Sequence, residues 1–85
     1  MEPSDMEIHN VILKIVSERR GYIEWSKMII ALLEYFDHSF MSMRSIQSLK
    51  DRISNICATS DFIGMIRYDD GEVPNRLIYR KVANI

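Results

Sequence analysis

The chain has 85 residues, of which 47% are hydrophobic and 27% charged, with a formal net charge of −1. A chain this short forms one small domain that buries only about 60–65% of its unfolded surface, which leaves little depth for an enzyme cleft, while its apolar content excludes wholesale disorder. No apolar run approaches the roughly 20 residues that span a bilayer, and Met1–Asp5 lacks the basic-then-apolar start of a secretory signal.

In chain order, Ser4 followed by Glu7 forms a capping box. Ile8, Val11, Ile12 and Ile15 then share one helical face, which predicts a first helix over about residues 5–20. Arg19 and Arg20 suit the negative end of that helix, and Gly21 suits a left-handed cap. Residues 22–24 form a short extended candidate. A second helix runs from Trp25 or Ser26 to Phe36 and is apolar around most of its circumference, the mark of a central or interfacial helix. Residues 37–41 lack periodicity and read as a loop containing His38.

A third helix starts near Ser42 or Ser45, with Ile46, Leu49, Ile53 and Ile56 as its buried stripe. Arg44, Gln47, Ser48, Asp51 and Asn55 lie on the opposite face, and Arg52 sits at the margin. Residues 58–61 end the helix. Residues 62–68 and 76–82 are rich in β-branched and aromatic types and read as two strands. Residues 69–75 between them form a long polar tip, with an Asp-Gly turn signal and Pro74 expected to stop pairing. No repeat or linker divides the chain, so residues 1–85 form a single domain.

Charge is unevenly spread. Residues 1–40 hold four basic and seven acidic side chains, a net of −3, whereas residues 41–85 hold seven basic and five acidic, a net of +2. Cys57 is the one cysteine, so no disulfide staples the domain, and with His9 and His38 far apart it makes no zinc site. A reducing, intracellular setting follows as the expectation. Cys57 at the edge of the helical stripe reads as a buried thiol, and His9 and His38 as solvated. No nucleophile–base spacing, Gly-rich phosphate loop or carboxylate pair is present, so neither catalysis nor a cofactor is expected.

The order helix, short strand, helix, helix, strand, polar loop, strand resembles a winged helix-turn-helix domain across residues 5–83. The most family-like stretch is Ser45-Ile46-Gln47-Ser48-Leu49-Lys50-Asp51-Arg52-Ile53 leading into Phe62-Ile63-Gly64-Met65-Ile66 and the hairpin. The fold this implies is α+β, three helices packed on a small antiparallel sheet whose hairpin forms the wing. One departure stands out. Such domains usually leave the third helix through a short glycine-containing turn, and Cys57-Ala58-Thr59-Ser60-Asp61 contains none.

The resemblance implies a third helix in the DNA major groove and a wing on the backbone. On that reading Arg44, Ser45, Gln47 and Ser48 face bases or phosphates, while Arg52, Arg67, Arg76, Arg80 and Lys81 neutralise phosphates. The same residues also read as a solvated helix face and as strand-edge charges that deter aggregation. The apolar surplus of the second helix points to a homodimer seam built from Trp25, Ile29, Phe36, Phe40 and Met41. The expected function is therefore a small DNA-binding protein, a dimeric regulator of transcription. The alternative is a winged-helix module that binds other proteins, as the near-zero net charge and the acidic residues Asp69, Asp70 and Glu72 allow.

Overall fold

The computed structural model describes residues 3–37, 43–70 and 73–81. Helix α1, Asp5–Glu18, begins at the expected capping box: the Glu7 N–H donates to Ser4 Oγ at 3.1 Å, and the Ser4 N–H donates to Glu7 Oε1 at 3.4 Å. Its buried stripe is Ile8, Val11, Ile12 and Val16, with Ile15 at the margin. The chain leaves α1 through two residues with positive φ, Arg20 at 63° and Gly21 at 92°. It then enters β1, Tyr22–Glu24.

Helix α2, Trp25–Tyr35, starts immediately after β1 and buries Met28, Ile29 and Leu32. Its apolar surplus is real, since Ile30 and Tyr35 remain 57% and 55% exposed. Helix α3, Met43–Thr59, buries Leu49, Ile53, Ile56 and Cys57, while Ile46 is half-buried. All the buried residues described in the core cluster are apolar.

The strands β2, Ile63–Asp70, and β3, Val73–Arg80, complete an antiparallel sheet ordered β1-β3-β2. Pairing runs further toward the tip than the sequence reading expected, with Asp69 opposite Pro74 and Asp70 opposite Val73. Pro74 therefore sits inside a strand, and the ladder explains how. At the base of the hairpin the Lys81 N–H donates to Phe62 O at 2.9 Å, which makes Ile63–Arg80 a non-hydrogen-bonded pair. Alternation from there makes Asp69–Pro74 another such pair, where an N–H would point away from β2. On that open side β1 reaches only Leu77. A residue without an N–H costs no ladder bond in that setting.

One sheet face, through Ile23, Ile63, Met65 and Ile78, closes the core beneath the helices. The other carries the row Tyr22–Tyr79–Gly64. A Cβ on Gly64 would lie 2.6 Å from Tyr79 Cζ and Oη, so the tyrosine ring lies across the glycine.

The glycine-free exit from α3 is built by Ser60. Its Oγ accepts from the N–H groups of Phe62 and Ile63 at 3.0 and 3.1 Å and lies 2.7 Å from His9 Nε2. With both lone pairs occupied, the hydroxyl hydrogen goes to His9, which takes the acceptor role there. His9, expected to be solvated, is instead a half-buried tie between α1 and the α3–β2 turn, with Phe62 edge-on at 6.2 Å. The spacing of 51 residues between His9 and Ser60 hides this tie from any local pattern.

Candidate nucleic-acid interface

The outer face of α3 carries polar residues opposite its buried stripe. Arg44 and Gln47 are exposed, Ser45 and Ser48 are half-buried, and all four lie in the first two turns. Asp51, one turn on, is met by Gln47 Nε2 at a long 3.5 Å, which gives its carboxylate a local donor. Arg52 has a different occupation. Its Nε donates to Asp5 Oδ1 at 2.7 Å and its Nη2 to the Pro3 carbonyl at 2.6 Å, which ties α3 to the start of α1. A guanidinium so engaged has less to offer a phosphate, and the partner lies 47 residues away in the chain.

The hairpin divides the remaining basic residues into two groups. Arg67 and Arg76 are opposite one another in register, and ladder alternation makes them a non-hydrogen-bonded pair, the closer kind, with Cα atoms about 4.5 Å apart. The Arg76 guanidinium stacks over Trp25, 5.0 Å from its ring centroid, while Arg67 is exposed. The backbone N–H of Arg76 donates to Asn75 Oδ1 at 2.8 Å. Among the described residues no ion pair neutralises either arginine. Arg80 and Lys81 stand at the other end of the hairpin, four and five residues on from Arg76, so Arg80 is about 13 Å away along the strand.

At that end the Arg80 N–H donates to Gly21 O at 2.8 Å, and Lys81 Nζ donates to Ser60 O at 2.7 Å. Arg20, Arg80 and Lys81 line one hollow of about 640 Å³ with Phe62, which is 60% exposed. From sequence Arg20 suits a helix end and Phe62 belongs to a strand, and neither reads as a site residue. No local spacing connects residue 20 to residue 80; the β1–β3 pairing does.

Of the expected dimer seam, Ile29 is buried in the chain's own core, Trp25 and Phe36 pack half-buried against it, and Phe40 and Met41 lie outside the described residues, as does His38. Cys57 is buried, as expected, and burial pushes its thiol from 9.0 up to about 11, with the Lys81 ammonium opposing the rise. Among the described residues no three His, Cys, Asp or Glu side chains gather to hold a metal ion, and no helix is long and apolar enough to cross a membrane. Comparison with protein-family models, with curated proteins and with solved structures gives no match.

Proposed function

We propose that this chain is a winged helix-turn-helix domain that binds duplex DNA and regulates transcription inside the cell. The observation that carries this reading is the Arg67–Arg76 pair. Like charges directly opposite on a sheet are destabilising, and a close pair that no ion pair neutralises among the described residues is favoured by a polyanion that neutralises both. The topology supports the reading, since the hairpin follows directly on a helix whose outer face is polar and whose inner face is core. Helix α3 lies in the major groove, with Arg44 suited to guanine, Gln47 to adenine, and Ser45 and Ser48 to phosphate or base edges. Arg67 and Arg76 hold the backbone.

The homodimer belongs to the same proposal. Exposed Ile30 and Tyr35, with half-buried Trp25 and Phe36, supply its apolar surface on α2, and light scattering checks it. The test of DNA binding is fluorescence anisotropy on a random-sequence duplex across a salt series. The expected result is micromolar binding at low salt that falls steeply as salt rises. Gln47→Ala is expected to change preference among sequences more than average affinity. Absence of binding at low salt overturns the proposal. The second reading, a protein-binding module, is favoured by the exposed Tyr22, Ile30, Phe62 and Ile66, and a stoichiometric protein partner without DNA retention would select it.

A further inference from the structure

Three cations converge at the end of the sheet remote from the Arg67–Arg76 pair, in a hollow to which α3 contributes no lining residue. Leu13 and Ser17 fall at i and i+4 on α1, so one face of that helix forms a wall, and Arg20, in the turn that follows the helix, lines the hollow beside it. The opposite wall is the hairpin base. Its Arg80 N–H bonds to Gly21 O, the residue after Arg20, and its Lys81 N–H bonds to Phe62 O. Backbone hydrogen bonds thus hold Arg20 beside Arg80, and Lys81 beside Phe62.

Two features oppose this arrangement. Arg20 occupies the left-handed region at φ 63°, which is unfavourable by about 1–2 kcal/mol for a residue other than glycine. Three like charges also share one concavity. Neither cost is offset by counter-ions: among the described residues, no hydrogen bond or ion pair engages the Arg20 or Arg80 side chain. The acidic residues nearest in sequence, Glu18 and Asp61, line other hollows. Lys81 spends one of its three donors on Ser60 O, which aims the ammonium and leaves two.

We propose that this hollow binds a nucleotide, with the phosphate held by Arg20, Arg80 and Lys81 and the base laid against Phe62. Guanidinium and ammonium groups pair with phosphate through charge-assisted hydrogen bonds, and an exposed aromatic ring provides a stacking surface that accepts any base. The volume, about 640 Å³, lies within the ordinary range of small-molecule sites, roughly 300–1,000 Å³. The same chemistry fits a free nucleotide and the phosphorylated end of a DNA strand.

The experiment is a titration of the full chain, followed by amide chemical shifts, with adenosine monophosphate, adenosine and inorganic phosphate. A short duplex is then added, bearing either 5′-phosphates or 5′-hydroxyls. Adenosine monophosphate is expected to shift residues 13–21, 62 and 80–81, and to bind more tightly than either fragment. Arg20→Asn, which suits a left-handed backbone, and Arg80→Gln are each expected to weaken it about tenfold. Phe62→Ala should reduce it to the level of inorganic phosphate. Displacement by the 5′-phosphorylated duplex alone would identify a strand end as the source, and persistence of the nucleotide beside either duplex would identify a free nucleotide. Failure of DNA binding at α3 leaves the nucleotide titration readable. The proposal is overturned by equal shifts from adenosine and its monophosphate, or by unchanged affinity in both arginine variants.

Discussion

Ser60→Ala tests the account of how α3 reaches the sheet without a glycine. The wild-type hydroxyl serves three partners: the N–H groups of Phe62 and Ile63, and His9 Nε2. The bond to Phe62 is exposed, so water replaces it at little cost. The other two are partly buried. Ile63 is fully buried and its N–H points out of the β2–β3 ladder, where, among the described residues, no strand lies beyond β2 to receive it. Two partly buried hydrogen bonds at about 1 kcal/mol each give an expected loss of about 2 kcal/mol. For 85 residues the whole stability is roughly 4–13 kcal/mol, so the loss is a large share of it. The melting temperature should fall by roughly 8–16 °C. Urea unfolding followed through Trp25 fluorescence measures this. The bond from Lys81 to the Ser60 carbonyl survives in the variant and does not confuse the result. Ser60→Thr keeps the hydroxyl and should recover most of the loss. An alanine variant within about 0.5 kcal/mol of wild type would show that the hydroxyl does not hold the turn.

Arg67→Gln removes half of the facing arginine pair, so it should raise stability by about 0.2–1 kcal/mol while weakening DNA. In the anisotropy series its salt slope should flatten by about 0.9, so the affinity lost between about 50 and 200 mM salt shrinks by about 3.5-fold. A loss of stability instead would reveal a structural partner for Arg67. Gly64→Ala, which in an ordinary strand gains about 0.5–1 kcal/mol, should here destabilise, because its Cβ meets the Tyr79 ring at 2.6 Å. Adding Tyr79→Ser should relieve the clash, giving a coupling of about 1 kcal/mol in a double-mutant cycle. Cys57 should be alkylated at pH 8 about a hundredfold more slowly in the folded chain than in urea, given a thiol raised from 9.0 to about 11. The folded state keeps that proton to higher pH than the unfolded chain does. Stability is therefore unaffected below about pH 9 and declines between pH 9 and about 11, as pH-dependent unfolding would record.

Local chemistry made the elements legible. The Ser4–Glu7 box, the α1 and α3 stripes, the short stretch 22–24 between two helices and the β-branched runs of the hairpin each act within a few residues, so three helices and three strands are legible locally. The outer face of α3 was legible for the same reason, because a stripe of Leu49, Ile53 and Ile56 determines which side carries Arg44 and Gln47. Pro74 misled because its effect depends on which strand borders it, and that is a property of the sheet.

Everything that joins distant residues waited for the tertiary structure. Arg52 meets Asp5 across 47 residues, His9 meets Ser60 across 51, and Arg80 is hydrogen-bonded to Gly21 across 59. Such pairs form because helices and strands bury complementary faces, which brings side chains together without regard to their spacing in the chain. Local residue patterns therefore establish the order of elements, their buried faces and the uneven charge. Packing alone decided that Ile29 belongs to the core, that Arg52 ties α3 to the start of α1, and that Arg20, Arg80 and Lys81 share one hollow.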